Sequence, residues 1–279
     1  MIGSRASPGA GGGSTEAIDM AVILDARGLN KTFGAVTAAA DINVAVEQDS
    51  VVGLIGSNGA GKTTFINMVT GYLKPSSGSI HFDGRDITPL EPRQITRLGI
   101  CRSFQIPQLF NSMTVHENLL VGVGIVVQAG EGLGGGGQRY ADPSRAVDAM
   151  LEQFNLGAYR DRQAALLPEG TRKLLDIAMA MVVRPRILLL DEPTSGVSAD
   201  EKFSLMDMVM QAVRENKVTV LFVEHDMEIV GRYTHRVLAF YEGRIIADGE
   251  PAKVLDDVEV RRYVIGEHVP AASTEAAHA

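Results

Sequence analysis

Cysteine is almost absent from this chain. Cys101 is the single one among 279 residues, so no intramolecular disulfide can brace the fold, and a reducing compartment suits it. Long hydrophobic runs are missing too. The best candidate, Leu119 to Val127, carries two glycines and reaches about half of the ~18–20 residues that cross a bilayer. Positive charge is not in excess either. Lys and Arg number 26 against 34 Asp and Glu, a net charge of −8, which argues against a general nucleic-acid footprint while leaving room for a local basic patch. Met1 to Asp19 contains no apolar segment of the secretory type. The expectation is a chain that stays where it is made and borrows membrane-spanning helices from another subunit if it works at a membrane. What is present is ordinary globular composition, 45% apolar and 22% charged, over a length that suits one large domain or two modest ones.

Residues 1–19, with Gly-Ala-Gly-Gly-Gly-Ser at 9–14, cannot bury enough surface to order and are expected to form a disordered tail. A second tail is expected over 267–279, leaving one domain over 20–266. Short β-type runs occupy Ala21 to Ala26, Ala40 to Val46 and Val51 to Ile55. The third is apolar throughout, as in a strand buried on both faces. A helix should follow from Gly61 to about Gly71. From about 91 to 183 the pattern is mostly helical and reads as an inserted subdomain. Four consecutive glycines within 129–138 interrupt it, and that stretch reads as a flexible loop. Strand and helix alternate again beyond it. Strands are expected at Arg186 to Leu190, Val218 to Val223, Arg236 to Tyr241 and Arg244 to Asp248, with a helix at Asp200 to Arg214. Ser198 and Glu201 suggest a capping box for that helix, and Phe203, Met206, Val209, Met210 and Val213 its buried stripe. Such alternation with apolar strands implies an α/β fold with a mainly parallel sheet covered by helices.

The strongest chemical signal is Gly56-Ser57-Asn58-Gly59-Ala60-Gly61-Lys62-Thr63, followed by Thr64. It matches the phosphate-binding pattern G-x-x-x-x-G-K-[ST], placed between an apolar strand and a helix. Glycines let the backbone turn its N–H groups toward phosphate oxygens, and the helix N-terminus adds partial positive charge. Lys62 can then reach the β and γ phosphates, and the Thr63 hydroxyl can ligate magnesium. The run Arg186 to Glu192 ends an aliphatic strand on two carboxylates, at the strand edge where ligands bind in open α/β sheets. Asp191 suits a magnesium shell and Glu192 the polarisation of an attacking water.

With these motifs, the chain resembles the nucleotide-binding subunit of ABC transporters over about Ala21 to Gly266. Further markers stand in that family's order. Phe33 matches the aromatic that stacks on adenine. Gln105, in Arg-Ser-Phe-Gln, matches the lid glutamine that senses the γ-phosphate, contributes to the magnesium site and faces a membrane subunit. Asp-Glu-Pro-Thr-Ser-Gly at 191–196 leads into the inter-subunit turn Ser195 to Ser198, and His225 matches the histidine at the γ-phosphate. The resemblance implies an ABC-type P-loop fold with an N-terminal antiparallel β-subdomain, an ATP- and Mg²⁺-dependent hydrolase, and catalytic roles for Glu192, His225, Lys62 and Gln105. It also implies a second ATPase subunit, integral membrane permease subunits, a periplasmic or extracellular substrate-binding protein, and a location on the cytoplasmic face of the plasma membrane.

One marker departs from the family pattern. Where the family carries Leu-Ser-Gly-Gly-Gln, this chain has Leu167-Pro168-Glu169-Gly170-Thr171. The usual serine offers a hydroxyl and an N–H to the ATP of the partner subunit, whereas Pro168 has neither. Gly170 survives to act in trans, and the helix behind it should bury Leu174, Ile177, Ala178 and Met181. Proline also suits the start of a helix, so the variation reads either as a weakened half-site or as a local structural choice. The runs Glu224-His225-Asp226-Met227 and Tyr263 to Gly266 look most similar to importers of branched-chain amino acids and related amides. A lipid- or polysaccharide-transport ATPase of the same fold, or a regulator that no longer hydrolyses, are the alternatives. Ile106 to Phe110 is the candidate groove for a membrane subunit's helix, with Leu109 and Phe110 equally suited to a core.

Overall fold

The computed structural model describes residues 21–103, 105, 107–128 and 142–266. Both expected tails and the glycine-rich stretch 129–138 lie outside these residues, as do Phe104 and Ile106. Strands β1 (Val22–Phe33) and β2 (Val36–Glu47) form an antiparallel hairpin. Along β2, Ala39, Ile42, Val44 and Val46 are buried and alternate with polar or exposed neighbours, which gives the hairpin one apolar face. Both strands are longer than expected. Residues 27–33 carry little apolar alternation, yet they pair across the hairpin.

Strand β3 (Val51–Gly56) follows, and β4 (Ser77–Phe82) with β5 (Arg85–Asp86) joins the hairpin in a four-stranded sheet of order β2-β1-β4-β5. The sequence pattern had not indicated these last two strands. Only Ile80 and Phe82 of β4 are buried, too few positions to reveal a period.

The second sheet has the order β10-β9-β3-β8-β7-β6, with β6 (Ile100–Arg102), β7 (Ile187–Asp191), β8 (Thr219–Val223), β9 (Arg236–Tyr241) and β10 (Arg244–Gly249). Every pairing in it is parallel except β10 with β9. β6 lies inside the stretch expected to be mostly helical. Three residues show no periodicity, and it is their pairing with β7 that makes them a strand.

Helices α1 (Lys62–Val69), α2 (Pro92–Leu98), α3 (Val115–Gln128), α4 (Pro143–Gln153), α5 (Glu169–Val182), α6 (Ala199–Glu215) and α7 (Met227–Tyr233) cover this sheet. Alternate strand residues feed two separate cores. Leu188, Leu190, Val220 and Phe222 pack with α3 to α7. Ile187, Leu189, Leu221 and Val223 pack with Phe65 and Ile66 of α1 and with Ile23, Leu24 and Ile80 of the antiparallel sheet. Covering both faces is what demands continuous apolar strands. Among the described residues no helix is long and apolar enough to cross a membrane.

Local expectations were met unevenly. α6 buries Met206, Val209, Met210 and Val213 as expected, together with Leu205 and Ala212, while Phe203 is only partly buried. Ser198 does occupy its N-cap, but the hydroxyl donates to Glu201 Oε2 at 2.8 Å and caps no backbone N–H. The reciprocal capping box belongs instead to α2, between Glu91 and Gln94.

Candidate functional site

Four parallel strands, β3, β6, β7 and β8, end on the same edge of the sheet, and the conspicuous side chains of the sequence collect there. The loop Gly56 to Gly61 joins β3 to α1 and is held from below. Gly243, in the β9–β10 turn, donates its N–H to the Ala60 carbonyl at 2.9 Å, and Ala60 donates to the Ser57 carbonyl at 3.1 Å. Two glycines are demanded by this packing. A Cβ on Gly56 would lie 2.6 Å from the Phe240 carbonyl oxygen, and one on Gly61, at φ 108°, would lie 2.9 Å from the Ala38 carbonyl oxygen. Such approaches admit no side chain. Lys62, 6% exposed, curls over the loop and donates from Nζ to the carbonyls of Gly56 at 2.6 Å and Ser57 at 3.1 Å. Burial pulls its ammonium below the ordinary lysine range, while the Glu192 and Asp191 carboxylates oppose that shift.

Above the loop lies an open cavity of about 580 Å³ lined by Asn58, Thr63, Gln105, Glu192 and His225. Glu192 stands in its wall directly beyond β7. Its Oε2 accepts from Gln105 Nε2 at 2.6 Å, and its Oε1 lies 3.1 Å from His225 Nε2. Three residues far apart in sequence therefore meet at one carboxylate. Asp191, the last residue of β7, faces Arg102 of β6 at 2.5 Å, and Arg102 also donates to Asn67 Oδ1 on α1 at 2.7 Å. Thr63 and Asp191 offer hard oxygen donors of the kind magnesium takes alongside phosphate oxygens and water, so the donor chemistry fits that ion.

Phe33 and the Pro168 to Gly170 stretch do not line this cavity. Ser57, Asn58, Gly59 and Thr63 are exposed, whereas Ala60 is buried and Thr64 half-buried. Phe33, 53% exposed near the hairpin tip, has Lys31 Nζ 5.2 Å from its ring centroid. Pro168 is the N-cap of α5, and Glu169 in the first turn lies 3.9 Å from Arg172 Nε. A carboxylate there suits the helix dipole. Gly170 faces Val197 of the Ser195 to Ser198 turn. Leu174, Ile177, Ala178 and Met181 are buried as expected.

Sequence reasoning missed four charged residues that brace the centre. They are Arg102, Lys173, Asp176 and Glu224. Glu224, 3% exposed, accepts from the Thr194 N–H at 2.9 Å, the Thr194 hydroxyl at 2.6 Å and the His225 N–H at 3.0 Å. Lys173, 4% exposed, donates to the Glu192 carbonyl at 2.7 Å, and Asp176, 8% exposed, accepts from the Gln108 N–H at 3.0 Å. On a helix of mixed character such charges read as a solvated face. The one available hint was their position, Lys173 beside Leu174 and Asp176 beside Ile177 on the buried side of α5.

A phosphate-shaped loop at a strand–helix junction, with carboxylates on the neighbouring strand ends, defines a P-loop nucleotide-binding domain. A family model described as "ABC transporter" matches residues 39–195, and curated relatives match nearly the whole chain, so this chain belongs to the ABC transporter ATP-binding family. The high-affinity branched-chain amino acid transport ATP-binding protein BraF of Pseudomonas aeruginosa is 38% identical over 88% of this chain and 98% of its own length. LivG of Escherichia coli, of the same description, is 35% identical over 88% of this chain and 98% of its own length. Among solved structures, the ADP conformation of the ATP-binding cassette MJ1267 is similar with a TM-score of 0.76 and 33% identity, covering 88% of this chain and all of that one.

Proposed function

We propose that this chain is the ATP-binding and ATP-hydrolysing subunit that powers an importer of branched-chain amino acids or related amides. The observation that carries the reading is the convergence of Gln105 and His225 on the Glu192 carboxylate at the mouth of the phosphate loop. Its likeness to BraF and LivG supports the cargo class. In this reading the loop amides and Lys62 hold the phosphates, Phe33 receives the adenine, and Thr63, Asp191 and Gln105 hold Mg²⁺. The ion would supply charge neutralisation on the phosphate oxygens. Glu192 accepts the proton of a water that His225 and Gln105 orient. The domain runs over 20–266, with residues about 91–183 as the helical subdomain. It works on the cytoplasmic face of the membrane with a second ATPase subunit, permease subunits and an external substrate-binding protein.

A second feature refines this reading. Pro168 caps α5 with neither a hydroxyl nor an N–H to give, so with a partner subunit that carries the intact Leu-Ser-Gly-Gly-Gln pattern, the half-site that this chain completes for its partner's ATP should turn over more slowly than the site built on its own Lys62 and Glu192. Steady-state ATPase activity of the assembled transporter tests both points. Glu192→Gln should lower kcat by roughly 10²–10⁴-fold, the contribution of a general base, and abolish uptake of radiolabelled leucine. The matching substitution in the partner subunit should cost less. Full turnover in Glu192→Gln would overturn the proposed base, and equal losses in the two subunits would overturn the asymmetry.

A further inference from the structure

We propose that Lys173 is a positioning residue that holds Glu192 in its working aim and makes that aim depend on the placement of α5. The inference rests on the reading of Glu192 as the catalytic base. Glu192 sits at φ 49°, a left-handed backbone conformation that a glutamate adopts only when its surroundings impose it. Each of its polar atoms is tied to a different part of the fold. The N–H donates to the Val223 carbonyl of β8 at 3.0 Å. The carbonyl accepts from the Ser195 N–H at 3.1 Å and from Lys173 Nζ at 2.7 Å. The carboxylate oxygens take Gln105 and His225. Of these ties, Lys173 is the one that comes from α5.

The same face of α5 reaches the other side of the site. Asp176, one turn beyond Lys173, accepts the Gln108 N–H and so steadies the segment that leaves Gln105. Two neighbouring buried charges on one helix thus hold both partners of the Gln105–Glu192 hydrogen bond, one through the base and the other through the chain after the glutamine. A shift of α5 transmits to both. α5 begins at Pro168 and Glu169, so displacement of that helix end would reach the catalytic carboxylate directly, without passing through the sheet.

Burying a lysine costs free energy, and this one is not a lone charge. Glu169 and Asp176 face it from its own helix, Glu192 from the end of β7 and Glu224 from the end of β8. Burial pulls the ammonium below the ordinary lysine range, and those carboxylates counter it. The ammonium is the hydrogen-bond donor to the Glu192 carbonyl, so the strut weakens as the pH rises toward its lowered pKa.

The test uses full-length chain in its assembled transporter, with Lys173→Met, Lys173→Arg and Glu192→Gln. It measures kcat and KM for Mg·ATP, equilibrium binding of a fluorescent ATP analogue, and the pH profile of kcat. Lys173→Met should lower kcat by about tenfold to hundredfold, the scale expected for a reacting group displaced by about 1 Å, while nucleotide affinity stays within about twofold. Lys173→Arg should recover most of kcat and move the alkaline limb of the profile upward. Unchanged kcat in Lys173→Met, or kcat and affinity falling together, would overturn the proposal. Should Lys173→Met fail to fold, Lys173→Gln takes its place, its amide one bond too short to reach the Glu192 carbonyl, and an unchanged kcat in that variant would overturn the proposal equally. An inactive Glu192→Gln beside an unaffected Lys173→Met sinks this inference alone, whereas an active Glu192→Gln sinks the base assignment beneath it.

Discussion

Gly56 closes β3 against the backbone of β9, with Ala60 pressed on the same spot; an added Cβ would lie 3.0 Å from the Ala60 Cβ as well as 2.6 Å from the Phe240 carbonyl oxygen. Neither neighbour is a flexible side-chain end that could swing away. Gly56→Ala should therefore displace the loop, weakening binding of a fluorescent ATP analogue by at least about tenfold and destabilising the fold by about 1–3 kcal/mol, as overpacking does. Analogue titration and urea unfolding check the two effects, and wild-type values in both would show that the loop has room. At this scale the residues proposed to touch the nucleotide were legible in the sequence, because phosphate chemistry restricts residue type and spacing together. Those that hold them were not. Arg102, Lys173, Asp176 and Glu224 belong to no motif, and apart from the adjacent His225 N–H on Glu224 their partners lie between 19 and 89 positions away, Lys173 to Glu192 being the shortest of these separations and Arg102 to Asp191 the longest.

α5 shows what an element adds beyond its residues. Its apolar stripe was readable from spacing, and it packs where amphipathicity directs it. Its polar contacts with Glu192 and Gln108 depend on where its N-terminal half is set against two strand ends. The segment after Gln105 makes the same point. Asn118 of α3, fully buried, accepts from the Phe110 N–H at 2.9 Å and donates to the Phe110 carbonyl at 3.2 Å. That clamp fixes the backbone while leaving Phe110 46% exposed and Leu109 partly buried against the core. The pair therefore divides between display and packing, a split that no propensity could indicate. In a transporter, an aromatic presented this way suits the docking of a membrane subunit. Phe110→Asp should abolish ATP-driven uptake while leaving nucleotide affinity within about twofold, since a carboxylate resists desolvation in an apolar contact. Vesicle uptake measured alongside analogue binding checks it, and retained uptake would remove this segment from the coupling path.

On the scale of the whole molecule, the central sheet divides one chain into two cores. Leu188 and Leu189 are adjacent in β7 and both fully buried, yet they belong to opposite cores. A sheet with one solvated face would make such neighbours unequal. Here Leu188→Ala and Leu189→Ala should each cost about 2–5 kcal/mol, the usual penalty for a cavity left by a buried leucine. Urea denaturation of the two variants checks this, and a cost near zero for either would mean that one face is not closed. The apolar runs of β3, β7 and β8 already implied closure on both sides, because only a doubly covered strand lacks polar alternation. The four-stranded sheet was half legible, since β4 buries too few residues and β5 is only two residues long.

Local chemistry determined from sequence alone the phosphate loop, the carboxylate pair at Asp191 and Glu192, and the alternating α/β order, because each depends on residues within about ten positions of one another. Tertiary structure decided the rest. It set β6 beside β7, brought Gln105 and His225 to one carboxylate, and turned the charges of α5 inward. These outcomes depend on which distant segments become neighbours once both faces of the sheet are covered, and a hydrogen bond between them leaves no period in the chain.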